Sequence, residues 1–243
     1  MLSGAFLCAG AGGGYAGAMN TSPPADSPPI WLWRAAVLGL IAALALIGAG
    51  VLLIAGGATD PPVAGPVVWE DVALTWAADA LARGGEAWAS APAPLPAPPA
   101  AFTLTVRAHL PAEADPLAAW GVWLAGADGS RTVYALSAAG YLTTRRCPAG
   151  QPIPDALAGC PALRPEWDWS AYPRIHPPSQ ANIIALHREA GGAIRLRING
   201  ERLGAAPVEV AGTWGVWARA GDGESLRVVW ERAELRAAVR GSG

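Results

Sequence analysis

The chain has 243 residues, 52% of them apolar, and a formal net charge of −2 at pH 7. A chain this close to neutrality has no broad basic surface, which argues against nucleic acid as a partner. It contains twelve tryptophans but only two phenylalanines. Tryptophan combines a large apolar ring with one N–H donor, so it suits cores, membrane interfaces and stacking sites alike.

Residues 1–29 are rich in Gly, Ala and Pro and almost free of charge. Such a composition buries too little apolar surface to fold alone, so we expect a disordered tail. Met19 offers an alternative start, in which case residues 1–18 would be a start-site artefact.

Residues 30–58 form the most apolar stretch, and no charged residue lies between Arg34 and Asp60. A helix needs about 20 apolar residues to cross a bilayer, so this stretch predicts one transmembrane helix, with Trp31 and Trp33 at the interface. A cleaved signal peptide is the alternative, but its apolar region would be shorter. With Arg34 at the N-terminal end, the positive-inside rule places the N-terminus in the cytoplasm and the larger C-terminal part outside the cell membrane.

Small residues recur along this helix at intervals of four, at Ala35, Gly39 and Ala43. Such a face lets two transmembrane helices approach closely, which favours packing against another membrane protein. An alanine-rich composition produces the same spacing by chance.

Residues 59–100 are expected to be a linker, a first strand over Val67–Trp76, a helical turn or loop, and an extended Pro-rich segment over 91–100. From 101 to 238 the pattern changes to short alternating strands with turn signals between them. In Phe102–Leu110, for example, Phe102, Leu104, Val106 and Ala108 share one face. Asn199-Gly200 is a strong hairpin signal. The fold class predicted is all-β, an antiparallel sandwich preceded by one transmembrane α-helix, with residues 239–243 as a tail.

Three blocks of this region resemble concanavalin A-like (LamG/jelly-roll) domains of bacterial surface proteins. The blocks are "GVWL…DGS…VYALSAAGYL", "ANIIALHREAGGAIRLRINGERL" and "GTWGVWARAGDGESLRVVWERAEL". Asn182, Asn199, Gly200, Gly215 and Trp230 carry the pattern. The resemblance implies a jelly-roll-like sandwich over roughly Phe102–Leu235. It implies no particular activity, because the family includes lectins, glucanases and spacer modules.

Cys147 and Cys160 bracket a short loop that is rich in Pro and Gly. In an exported domain this arrangement predicts a disulfide; two free thiols are the alternative. The nearest histidines lack zinc-ligand spacing, and the acidic turns hold too few carboxylates for calcium. We therefore expect no metal and no cofactor.

The segment "EWDWS", Glu166–Ser170, interleaves two carboxylates with two tryptophans. If it is a strand, Glu166 and Asp168 share one face, and Trp167 and Trp169 share the other. Paired acids suit a retaining glycosidase, and flat aromatic rings suit a sugar. Packing in a core is the third interpretation. The acidic strand of the glucanases has a third carboxylate that this segment lacks, so we do not expect catalysis.

Four more tryptophans occur in pairs three residues apart, and that spacing sends the two rings of a strand to opposite faces. One ring of each pair is expected in the core, and the other is either covered by loops or exposed to a ligand. The candidate binding aromatics are therefore Trp120, Trp123, Trp167, Trp169, Trp214 and Trp217.

These features predict a non-enzymatic binding or interaction module, anchored in membrane lipid and presented outside the membrane. The small-residue helix face favours an accessory subunit of a membrane protein complex. A carbohydrate-binding surface domain is the alternative, with glycan as its partner. A glycoside hydrolase is the least favoured function.

Overall fold

The structure is a computed structural model that describes residues 29–55, 65–78, 80–96, 101–149, 157–188, 192–223 and 225–237. The expected tails, the end of the 30–58 helix and part of the 59–100 linker lie outside these ranges. The chain divides into two units, Met1–Val51 and Leu52–Gly243, and we describe each by itself.

Helix α1 runs over Ile30–Ala55 and supplies nearly all of the described part of the first unit, which ends at Val51. Its span Ile30–Leu52 has 23 residues and a mean hydropathy of 2.6. By length and composition this helix can cross a membrane. Its apolar side chains are exposed, including Trp31 at 66% and Trp33 at 69%. A Cβ added to Gly39 would meet no other atom within 4 Å.

The second unit is an antiparallel β-sandwich. In the described residues its strands are β1 (Val67–Val72), β2 (Ala80–Leu81), β3 (Glu86–Ser90), β4 (Phe102–His109), β5 (Ala119–Ala125), β6 (Arg131–Ser137), β7 (Tyr141–Cys147), β8 (Ser170–Ala171), β9 (Asn182–Arg188), β10 (Ala193–Ile198), β11 (Glu201–Pro207), β12 (Trp214–Arg219), β13 (Leu226–Arg227) and β14 (Val229–Ala237). The first sheet has the order β1-β14-β4-β9-β10-β11, and the second sheet has the order β3-β12-β5-β6-β7-β8. The predicted all-β sandwich with one N-terminal apolar helix is confirmed.

The core lies between the two sheets and is built by alternation along each strand. Phe102, Leu104 and Val106 of β4 are all fully buried, because side chains two apart on a strand share a face. Tryptophan rings close the core by edge-to-face contacts, with Trp69 5.5 Å from Trp214. Trp120 and Trp230 lie 5.8 Å apart.

Two expectations for the segment before β4 need correction. The first strand stops at Val72 instead of Trp76, because Ala73 and Leu74 take φ values of +70° and +38° that no strand allows. The stretch expected as a helical turn or loop contains β2 and the edge strand β3, which pairs with β12. β-propensity depends on the neighbouring strand, and "EAWAS" has one that its own sequence does not reveal.

The two asparagines of the resemblance serve the fold. Asn199 donates from Nδ2 to Oδ1 of Asn182 at 2.8 Å, and its own Oδ1 accepts the backbone N–H of Ile183 at 2.8 Å. The Oδ1 of Asn182 also accepts the backbone N–H of His176 at 2.7 Å. This pair fastens the β10–β11 turn to the loop that precedes β9.

Candidate functional site

The outer face of the second sheet carries a second apolar cluster, which we call the outer cluster. Its buried members are Ala119, Trp123, Val133, Ala135, Cys147, Leu157, Cys160 and Trp217. Two strands with the same motif, Trp-Gly-Val-Trp, produce it. In each strand the first tryptophan enters the core and the second joins the outer cluster.

Glycines make room for the outer rings. A Cβ on Gly215 would lie 2.6 Å from the ring of Trp123 and 1.9 Å from the carbonyl oxygen of Ala89. A Cβ on Gly121 would lie 2.3 Å from the carbonyl oxygen of Tyr134. Only glycine fits at either position, so the sheet can carry large rings on both faces.

The predicted disulfide between Cys147 and Cys160 is confirmed. Both cysteines are buried within the outer cluster, at 3% and 1% exposure. The bond brings the short 3-10 turn Leu157–Gly159 onto the sheet, and Leu157 packs there at 2% exposure. Residues 157–160, which we call the covering segment, therefore pack over part of the outer cluster.

Glu86 stands at the edge of this cluster and was missed from the sequence. Its Oε2 accepts the indole N–H of Trp217 at 3.0 Å and the backbone N–H of Leu157 at 3.0 Å. Burial raises the pKa of the Glu86 carboxyl, although these hydrogen bonds and the nearby charge of Arg219 act in the opposite direction. Glu86 thus ties β3 to the covering segment.

The segment "EWDWS" is not a strand, which corrects the expectation that its residues alternate. Pro165–Trp167 forms a 3-10 turn, and β8 begins only at Ser170. The two carboxylates pair with different arginines: Glu166 lies 3.5 Å from Arg164, and Asp168 pairs with Arg145 of β7.

The two tryptophans of this segment also diverge. The guanidinium of Arg164 lies 4.8 Å from the ring centre of Trp167, and that ring packs against Gly204 of the first sheet. Trp169 packs against the outer cluster of the second sheet. Only Trp169 therefore reaches the covered face.

Trp169 takes an unusual backbone conformation, with φ at +46°. A bulky side chain in this region is a strained outlier, and it persists only where the surroundings enforce it. The neighbours on both sides enforce it here. Asp168 is held by Arg145, and Ser170 pairs with Leu142 of β7. Both restraints come from β7, and they hold the Trp169 ring beside that strand.

Beside this ring lies an open pocket of about 510 Å³, within the range typical of small-ligand sites. Tyr141 and Leu117 are exposed there at 41% and 55%. Strand register brings the polar groups of the pocket close together. Ser137 pairs with Ala119, and Ala119 pairs with Arg219 on its other side. The lining residues are Pro116, Leu117, Ser137, Ala139, Tyr141, Trp169 and Arg219.

The pocket offers an apolar, partly aromatic wall and a few hydrogen-bonding groups. Arg219 lines the pocket and adds the charge of its guanidinium, which also acts on the Glu86 carboxyl. The hydroxyl of Ser137 already accepts the backbone N–H of Tyr141 at 3.2 Å but keeps its own donor. Flat rings beside convergent polar groups can hold an amphipathic ligand such as a sugar ring.

The structure separates the six candidate aromatics. Trp120 and Trp214 lie in the inner core, at 1% and 0% exposure, and Trp123 and Trp217 lie in the outer cluster, at 4% and 0%. These four are not open to a ligand in the structure, because their side chains are almost completely buried. Among the six, Trp167 and Trp169 alone remain partly exposed, and only Trp169 lines the pocket.

Sequence reasoning missed Leu117, Tyr141 and Arg219 as partners of Trp169. Tyr141 was part of the first block of the resemblance and carried no binding signal. Arg219 ends the second Trp-Gly-Val-Trp strand, and its pairing with β5 is a long-range contact. No local pattern brings these residues together, since the register of non-adjacent strands decides it.

No protein-family model matches the chain, and no curated protein matches it by sequence. Among solved structures, the chain is similar to the carbohydrate binding module CBM66 from Bacillus subtilis, with 10% identity, 72% of this chain and 99% of that chain covered, and a TM-score of 0.46. The Emp46p carbohydrate recognition domain covers 65% of this chain and 82% of its own at 11% identity and a TM-score of 0.45. The galectin LEC-6 of Caenorhabditis elegans covers 68% of this chain and 94% of its own at 14% identity and a TM-score of 0.39.

Proposed function

We propose that the sandwich is a non-enzymatic binding module and that its ligand is a saccharide held in the pocket beside Trp169. The observation that carries this proposal is the strained backbone of Trp169, which presents an aromatic ring next to Tyr141 and Arg219. A ring held in this way loses little freedom when a ligand stacks on it, so binding is pre-organised.

The saccharide class fits the mixture of groups in the pocket. The face of a sugar ring carries C–H groups that pack on an indole, and its edge carries hydroxyls. Arg219 donates to such hydroxyl oxygens and Ser137 can do the same. An entirely apolar ligand would leave these donors unpaired, which is unfavourable for buried polar groups.

The test is a glycan array probed with the full chain in detergent micelles, followed by affinity measurement for the saccharides that bind. Trp169→Ala should weaken binding at least tenfold, which corresponds to about 1.4 kcal/mol. Trp167→Ala is the matched control, because it removes a tryptophan from the same segment on the side of the first sheet. Equal affinity of the wild type and the Trp169 variant for every bound glycan would refute the proposal.

The second part of the proposal is that α1 anchors this module in the cell membrane, with the N-terminus in the cytoplasm. The length and apolar exposed side chains of the helix support anchoring. The disulfide supports an oxidising compartment for the sandwich. Protease added to intact cells should then digest the sandwich. If the sandwich is protected until the membrane is opened, the orientation is the opposite one.

A role as an accessory subunit of a membrane complex is the other candidate, and the open face at Ala35, Gly39 and Ala43 favours it. Gentle detergent extraction, sizing and mass spectrometry test it directly. Stoichiometric co-migrating membrane proteins that are lost with Gly39→Leu would establish it. A protein that migrates alone would contradict the role as an accessory subunit.

A further inference from the structure

The end of the sandwich formed by β7, β9 and the start of β10 holds a second pocket, which is distinct from the one beside Trp169. Its volume is about 600 Å³, and its lining is Arg146, Arg188, Gly192, Ala193, Pro207, Val208 and Glu209. The two arginines come from different sheets. Arg146 lies on β7 of the second sheet, and Arg188 ends β9 of the first sheet.

Arg188 is the unusual group. It is 7% exposed, and its guanidinium Nε and Nη1 are buried without a hydrogen-bond partner. Its backbone pairs with Phe102 and with Ile194, both of which point into the core, so Arg188 also points between the sheets. A guanidinium stays charged at any physiological pH, and an unpaired buried charge is strongly unfavourable.

Arg146 is held in place beside this charge. Its Nη2 donates to Oδ2 of Asp128 at 2.8 Å, and its Nε donates to the hydroxyl of Ser130 at 3.3 Å. These contacts use one carboxylate oxygen of the β5–β6 turn. They fix the position of Arg146 at the rim of the pocket but provide no acceptor for the N–H groups of Arg188.

The pocket also contains one acid, Glu209, which is exposed. It makes no hydrogen bond or ion pair with Arg188 in the structure, although both residues line the same space. If Glu209 rotated toward Arg188, its carboxylate could neutralise the buried charge without a ligand. The experiment must therefore distinguish pairing with Glu209 from binding of an anion.

We propose that this pocket binds an oxyanion group, a carboxylate, sulfate or phosphate, between Arg188 and Arg146. The guanidinium fork donates two N–H groups to two oxygens of such a group in one plane. An anion there would give one edge of the Arg188 guanidinium the acceptors that the protein does not supply, and it would face a second positive charge across the opening between the sheets. This inference does not depend on a saccharide at the Trp169 pocket.

The experiment measures binding of sodium phosphate, sulfate, acetate and glucuronate to the full chain in micelles. Isothermal titration and the melting temperature are recorded at constant ionic strength. At least one anion should bind saturably and raise the melting temperature of the wild type. Arg188→Met should weaken that binding at least tenfold, and its melting temperature without the anion should be equal to or above that of the wild type, because it removes an unpaired buried charge. Arg174→Gln, which changes an exposed arginine on another surface, should bind like the wild type.

Two further variants keep the result decisive. Arg188→Lys retains the charge without the planar fork and should bind the anion more weakly than the wild type. This variant still tests the proposal if Arg188→Met does not fold. Glu209→Gln should bind the anion at least as tightly as the wild type. The inference is overturned if no anion binds the wild type saturably, if Arg188→Lys and the wild type respond equally, or if Glu209→Gln loses stability and gains no anion affinity. The last outcome would make Glu209 the partner of Arg188.

Discussion

Removing the disulfide is the most quantitative test of how the outer face is built. Cys147 and Cys160 are 13 positions apart, and the loop-entropy model gives about 3 kcal/mol for a closed loop of this length. Cys147→Ala/Cys160→Ala leaves both positions apolar, so no buried hydroxyl adds to the cost. We expect the free energy of unfolding to fall by about 3 kcal/mol.

The assay is urea unfolding of the full chain in micelles, followed by tryptophan fluorescence. Because the covering segment shields Trp217, its release should also red-shift the emission of the folded variant. Cys8→Ser is the matched control, since it removes the remaining cysteine and leaves the disulfide intact. A loss below about 1 kcal/mol, or an equal loss in the Cys8 variant, would show that the bond does not hold the covering segment.

Three more substitutions test separate parts of the account. Gly215→Ala would place a Cβ 1.9 Å from the carbonyl oxygen of Ala89, so thermal unfolding should show a loss of at least about 2 kcal/mol; a neutral result would mean that the β3–β12 pairing is wrong. Because burial raises the pKa of Glu86, its contribution to stability is present below the ordinary pKa and falls as pH rises through the raised one. Glu86→Gln should therefore flatten the stability–pH curve just above pH 4.5 relative to the wild type, and parallel curves would exclude this group as the cause. At position 169 the left-handed φ favours glycine, so Trp169→Gly should be more stable than Trp169→Ala by about 1 kcal/mol; the reverse order would show that the backbone there is not strained.

Local patterns were sufficient to predict the sandwich. Alternation in Phe102–His109 and the Asn199-Gly200 turn specify strands and a hairpin without knowledge of distant neighbours. Edge strand β3 was missed because its pairing with β12 joins residues more than a hundred positions apart. Whether such a short segment forms a strand depends more on the partner strand than on the intrinsic propensity of its residues.

The site was harder to predict than the fold. Trp169 was a candidate from the sequence, but together with five other tryptophans, and its segment was expected to be a strand. The ion pair between Arg145 and Asp168 and the proline at the start of the 3-10 turn replace that strand with a turn. Neither interaction has a periodic signature. Arg188 carried no signal at all, because an arginine at a strand end is ordinarily solvated.

The most direct test of the central claim is a nuclear magnetic resonance titration of the indole N–H groups with the saccharide that gives the strongest array signal. The full chain is labelled with 15N-tryptophan, and the Trp169 resonance is assigned with Trp169→Phe. The account predicts that the Trp169 signal shifts saturably, whereas the signals of Trp120 and Trp214 in the inner core stay in place. A saccharide that shifts other indoles and leaves Trp169 unchanged, or an array on which nothing binds, would contradict it.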